Sequence, residues 1–161
     1  MMTVKINVDP AVAEYISAKY NDPEIAAVRF PPASDIYVSV FDLLQKRPAD
    51  RPVDSGNLLI ALPDRREGGK DPRYYNYLSA RSQKILNAKL RLMFCAELHE
   101  FVDENKHLRG IQFKESVYTF MCRYGIESLS EDALWKNYQR WRAKLRRRKK
   151  RGYVRKSADF A

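Results

Sequence analysis

Residues Gly110 to Lys156 read GIQFKESVYTFMCRYGIESLSEDALWKNYQRWRAKLRRRKKRGYVRK, and the reading of this stretch decides the kind of chain it belongs to. Phe113, Val117, Phe120, Met121 and Tyr124 recur at i, i+4, i+7, i+8 and i+11, which places them on one face of a helix. Gly125 follows where a reversing helix needs positive φ, and Ile126 can make the apolar contact of such a cap. This helix should therefore stop at Tyr124 or Gly125. A second helix opens on overlapping signals. Ser128 with Glu131 has capping-box spacing, while Ser130 can cap with Leu129 and Leu134 as a hydrophobic staple, the arrangement we favour. Glu131 and Asp132 then oppose the positive end of the helix dipole.

The two sides of the second helix differ in kind. Leu134, Tyr138, Trp141 and Leu145 form a narrow apolar seam that can lie against the helix before it. At about 100° per residue, Lys136, Gln139, Arg140, Ala143 and Arg147 point away from the seam. Arg142 and Arg146 lie on one flank and Lys144 and Arg148 on the other, and Lys149, Lys150 and Arg151 extend the basic run. Arg can hold guanine through two hydrogen bonds, Gln can hold adenine, and Lys or Arg can neutralise phosphates. An inner face that packs beneath such an outer face is what a recognition helix requires.

The stretch resembles helix-turn-helix DNA-binding domains, and its turn from Gly125 to Leu129 is closer in length to the winged or homeodomain-like relatives than to the tight form. The chain as a whole also resembles uncharacterised proteins of Mu-like transposable phages and related bacterial mobile elements. The residues that carry this second resemblance are LPDRREGGKDPRYYNYLS at Leu62–Ser79, AELHEFVDE at Ala96–Glu104 and YGIESLSEDALWKNYQRWR at Tyr124–Arg142. It implies a genomic neighbourhood and brings no catalytic residues with it.

Charge is concentrated in the same stretch. The 161 residues carry a net charge of +10, with 45% hydrophobic and 12% aromatic content that argues for a folded chain. Of 30 Lys and Arg, 12 lie between Ala133 and Lys156, where there is no Asp or Glu. The remainder has 18 basic against 20 acidic residues, a net of −2, so essentially all the positive charge sits at one end. A polyanion is the expected partner. MMTVKINVDP does not read as a signal peptide and no apolar run is long enough to span a bilayer, so a cytoplasmic location is expected. Cys95 and Cys122, each inside an apolar helical pattern, read as reduced core residues.

Upstream, Val4, Ile6 and Val8 alternate in a short strand ended by Asp9-Pro10, which also opens a helix from about Pro10 to Tyr20 along Val12, Ile16 and Tyr20. Ser34 to Gln45 can be a capped helix over Ile36, Val40, Leu43 and Leu44 or can begin as a strand, because Ile36, Val38 and Val40 alternate; we take helix. Lys46 to Gly56 has loop composition, and Leu58 to Leu62 can pair with the strand near Val4 in a small sheet. Pro63 to Arg73 reads as an exposed excursion whose Arg65, Arg66, Lys70 and Arg73 more often mark a solvated loop tip than a nucleic-acid contact. Tyr74, Tyr75 and Tyr77 can stack single-stranded bases, but tyrosines at a helix start more often anchor it to the core. Ser82 to Asn105 is the longest helical pattern, with Ile85, Leu86, Leu90, Met93, Phe94, Phe101 and Val102 as its core face. Gly110 separates it from the next helix. Beyond Leu145 the helix lacks packing positions and is expected to fray in solution, ending at Gly152.

The expected fold is mainly α, with a three-helix, helix-turn-helix-like unit over residues 74–148. It is preceded by a small α+β part over 1–73 with a two-stranded sheet and followed by a basic tail over 149–161. Catalytic patterns are missing. Asp103 stands where His-Glu-x-x-His needs its second His after His99-Glu100, and Cys95 with His99, His107 or Cys122 matches no common zinc module. Glu97, Glu100, Asp103 and Glu104 read as a solvated face, Asp64, Glu67 and Lys70 lack nuclease spacing, and neither a Walker loop nor a nucleophile elbow occurs. No enzyme, metal, cofactor or small-molecule substrate is expected. The leading expectation is a duplex DNA-binding regulator or accessory factor, as a possible homodimer, contacting DNA through Lys136, Gln139, Arg140, Arg142, Lys144 and Arg146 to Arg151. The alternatives are an assembly or packaging subunit with a basic nucleic-acid tether, RNA binding by the arginine-rich helix, and, weakest, a membrane surface, which would want a wider apolar face.

Overall fold

The computed structural model describes residues 1–50, 54–63 and 69–158, with the backbone path alone for 149–158. The chain is mainly helical, with five helices among the described residues and a small amount of sheet. It divides into two compact units, Met1–Phe94 with Tyr124–Ser128 and Cys95–Arg123 with Leu129–Ala161. The boundary falls inside the longest helix.

In the first unit β1 (Thr3–Ile6) pairs antiparallel with β5 (Leu58–Ala61), Thr3 opposite Ala61 and Ile6 opposite Leu58. This is the pair anticipated from the alternation at Val4 and the run at Leu58. The sheet continues beyond it: β3 (Ala27–Val28) lies parallel to β5, and β2 (Asn21–Asp22) closes antiparallel on β3, giving the order β1-β5-β3-β2. A separate ribbon joins β4 (Gln45–Lys46) to β6 (Tyr75–Tyr77). Four strands thus replace the expected two, because a strand of two residues is too short to show a period of two and exists only through its partner.

α1 (Pro10–Tyr20) opens with Pro at its first position and buries Val12, Tyr15 and Ile16. α2 (Asp35–Leu43) takes the helical alternative, its cap Ser34 accepting from the Tyr37 N–H at 3.3 Å, and Ile36, Val40 and Leu44 are buried. Tyr75 and Tyr77 lie in the ribbon and not at a helix start, and Tyr74 beside them is 66% exposed. The Lys46 ammonium sits 5.7 Å from the Tyr75 ring centroid and the Arg47 guanidinium 5.9 Å from that of Tyr77. The excursion at 64–68, with Arg65 and Arg66, lies outside the described residues; Lys70 donates to the Phe41 and Asp42 carbonyls at 2.9 and 2.8 Å.

α3 (Ala80–Arg109) buries Leu86, Leu90, Phe94, Leu98 and Val102, an unbroken i, i+4 row. The expected core face included Ile85, which is 37% exposed, and omitted Leu98, which is fully buried. Steps of four residues drift by about 40° around the axis, so the side buried at Leu86 is not the side buried at Val102, and a single helix can serve two cores. Gly110 at φ 67° ends it. α4 (Phe113–Tyr124) stops at Gly125, whose φ is 59°, and Ile126 is buried behind it, as the cap reading expects. α5 (Glu131–Ala158) runs through Gly152 instead of ending there; one interior glycine costs a helix only about 1 kcal/mol. Among the described residues no helix is long and apolar enough to cross a membrane.

Gly56 is held where a side chain has no room, because a Cβ would lie 2.1 Å from the Ile6 carbonyl oxygen. Next to it Asn57 donates its N–H to that oxygen at 3.1 Å, and its amide both donates to the Val8 carbonyl at 2.7 Å and accepts from the Val8 N–H at 3.0 Å. Gly56→Ala should therefore push β5 off the end of β1 and lower stability by about 2 kcal/mol or more in a urea unfolding curve. A loss under about 0.5 kcal/mol would show that the two backbones separate freely there.

Candidate nucleic-acid interface

The turn between α4 and α5 is held in the first unit by one acid. The Glu14 carboxylate on α1 accepts from the N–H groups of Glu127 and Ser128 at 3.1 and 3.2 Å and from the Ser128 hydroxyl at 2.5 Å. The Tyr15 and Tyr124 rings meet edge to face at 4.9 Å beside it. Ser128 is thereby committed to Glu14, and Ser130 caps α5, accepting from the Ala133 N–H at 3.1 Å.

In the second unit, Leu134 and Tyr138 are buried on the inner face of α5, while Trp141 and Leu145 are half-buried. A polar row along α3 receives that face. Asn137 joins His99 and Cys95, its Oδ1 2.6 Å from His99 Nε2 and its Nδ2 3.7 Å from Cys95 Sγ. Trp141 stacks on His99 with ring centroids 4.7 Å apart and planes 14° from parallel. The Tyr138 hydroxyl donates to Asp103 Oδ1 at 2.8 Å, and the same oxygen lies 3.3 Å from the Arg142 guanidinium and 3.5 Å from His107 Nε2. Phe113 of α4 completes the packing, with its ring 5.3 Å from Trp135 and 5.2 Å from Tyr138. Cys95, His99 and Asp103 are four apart on α3, and their partners advance along α5 in the same direction.

These contacts tune two groups. Burial holds the His99 imidazole below its ordinary pKa, with the Asn137 bond opposing. The Tyr138 phenol is pushed up to about 12, first by burial and then by its bond to Asp103 and that carboxylate's charge, with Arg142 and Arg146 opposing.

The outer face is basic and open. Lys136, Gln139, Arg140, Lys144, Arg146, Arg147 and Arg148 are all exposed. Lys136 is bridged to Asp132 at 2.8 Å, between two exposed side chains. Arg142 stands apart from this group, half-buried against Asp103, where it ties α5 to α3. The side chains of Lys149, Lys150 and Arg151 lie outside the described residues, although their backbone continues the helix.

Several roles differ from the sequence expectation. Asp103, read as part of a solvated face, receives three groups from two helices, while Glu100 and Glu104 stay exposed or nearly so. Cys122, read as core, is exposed, because on α4 it lies about 140° from Val117. Trp135 and Asn137 were not singled out at all. The recurrence of Cys95, His99, Asp103 and His107 every four residues was the one signal of a polar row awaiting a partner. Comparison of the chain with protein-family models, curated proteins and solved structures returns no match.

Tyr138→Phe keeps the ring and removes the bond to the Asp103 carboxylate, so it should cost on the order of 1.5–3 kcal/mol in chemical unfolding. The sign of the pH effect follows from the raised pKa. The unfolded phenol ionises near 10 and the folded one near 12, so the parent protein loses this stabilisation as pH climbs between those values. Unfolding curves of the two proteins should converge over that range. A constant difference would mean that the phenol is not held neutral by the fold.

Proposed function

We propose that this protein is a non-enzymatic duplex DNA-binding factor that lays the outer face of α5 in the major groove, as a regulator or accessory protein of a phage or mobile element. The observation that supports this best is the division of α5 between two faces. Its inner side is locked by Tyr138, Trp141 and Arg142 against α3, while Lys136, Gln139, Arg140 and Arg147 stay exposed on the other side. No acid occurs from Ala133 to Ala158, so nothing on the helix repels phosphate beyond its first turn. At 1.5 Å per residue its 28 residues extend roughly 42 Å, more than a full turn of duplex. Phosphate contacts from Lys144, Arg146, Arg147, Arg148 and the following basic residues supply most of the affinity in this reading, and Gln139 and Arg140 face base edges. The helix-turn-helix likeness and the mobile-element likeness of the sequence point the same way.

Arg140→Ala should weaken binding to a selected duplex by about 1–3 kcal/mol and flatten sequence preference, measured by fluorescence anisotropy on matched and scrambled sites. Equal losses on both duplexes would make Arg140 a phosphate contact only. Changing Arg146, Arg147 and Arg148 together to Ala should weaken binding on every duplex and reduce the slope of log K against log salt by about 0.9 for each phosphate contact removed. If the full-length protein instead prefers structured RNA at equal salt, α5 acts as an arginine-rich RNA helix and the DNA assignment falls.

A further inference from the structure

A polar cleft of about 460 Å³ opens in the first unit where β1, the ribbon and the start of α3 converge. That volume lies within the range of small-ligand sites, about 300–1,000 Å³. Lys5 from β1 and Arg81 from α3 line it, and neither has an acidic partner among the described residues. The one acid in its wall is already compensated. Asp54 is bridged by Arg47 at 2.8 Å, and the same guanidinium donates to the Asn76 side chain and carbonyl, each at 3.1 Å. Two cations from different elements therefore line a cleft whose described residues hold no uncompensated negative charge.

The rest of the lining suits a phosphate with a ring attached. Ser55 and Ser79 bring hydroxyls. Ser79 caps α3 through Ser82, whose N–H donates to it at 3.2 Å, and the N–H of Gln83 closes the first helical bond onto the Ser79 carbonyl. The N–H groups of Ala80 and Arg81, two of those a helix start leaves without an internal partner, remain at residues that line the cleft. Tyr77 lines the same wall, its ring 5.9 Å from the Arg47 guanidinium. Phosphate chemistry is favoured by the paired cations and the amides, and an attached base by the ring.

We propose that this cleft binds the phosphate of a nucleotide, with Lys5, Arg81 and the first amides of α3 on the phosphate and Tyr77 against the base, as a site separate from α5. The ligand is either a free nucleotide or the phosphorylated end of a nucleic-acid strand. Full-length ¹⁵N-labelled protein would be titrated with 5′-AMP, adenosine, inorganic phosphate, and a thymidine tetranucleotide with and without its 5′-phosphate, following the amides of Ala80, Arg81 and Tyr77. Saturable shifts are expected there with 5′-AMP, at least about tenfold tighter than with adenosine or phosphate alone. The Lys5→Ala, Arg81→Ala double variant alters two exposed side chains, and its spectrum elsewhere reports that it is folded. It should weaken 5′-AMP at least about tenfold, whereas an Arg140→Ala, Arg147→Ala variant of α5 should leave that binding unchanged. Preference for 5′-AMP over the phosphorylated tetranucleotide identifies the free nucleotide, and the reverse identifies the strand end. The proposal is overturned if no saturable shift appears at these amides at about 1 mM 5′-AMP, if the double variant binds as the parent does, or if the shifts vanish in the α5 variant.

Discussion

A helix with twelve basic residues in its second and later turns can hold them on one side only if its rotation about its own axis is fixed, and here one carboxylate grips two of its residues. Asp103 accepts the Tyr138 hydroxyl and lies against Arg142, two residues of α5 four apart on one side of the axis. The His99–Trp141 stack and the Asn137 bonds fix the same side one turn earlier along α3. A turn of 100°, the step of one residue, in one sense would carry Arg140 and Lys144 onto the packed side and Arg142 to the outer face. The outer face is thus defined by what binds the inner one.

The arrangement also explains how so much like charge is tolerated in a small protein. Within the described part of α5, the one basic side chain drawn into the packing is the one with a carboxylate waiting, and the exposed ones remain solvated, where mutual repulsion is weakened by water and salt. Several lysines and arginines elsewhere are used structurally. Arg47 ties the ribbon to Asp54, Lys70 caps the carbonyls at the end of α2, and the Lys106 and Arg123 cations lie over Phe113 and Phe101 at 5.4 and 5.0 Å.

Long elements were legible from pattern, since α1, α2, α3, α4 and the pairing of β1 with β5 all follow from periodicity, capping and breakers that act within a few residues. The failures have a common cause. β2, β3, β4 and β6 have two or three residues each, and their strand character lies in the partner and not in the segment. Ile85 and Leu98 were misjudged because an apolar residue on a long helix can lie on either side of a slowly winding buried row, and only the neighbouring elements say which. Asp103 and Glu100 are the same kind of residue three apart on one helix; position opposite Tyr138 and Arg142 separates them.

By itself the sequence determined the helical character of the chain, the stop at Gly125, the seam of α5 and the gathering of positive charge at one end. Each of these is set by local backbone chemistry or by plain count. Only the tertiary structure decided that Glu14 holds the α4–α5 turn and leaves Ser130 to cap α5, that Arg142 turns inward onto Asp103, and that Lys5 and Arg81, 76 residues apart, line one cleft. Those outcomes depend on which distant groups come within hydrogen-bonding or ion-pairing reach, and that distance is a property of the folded chain.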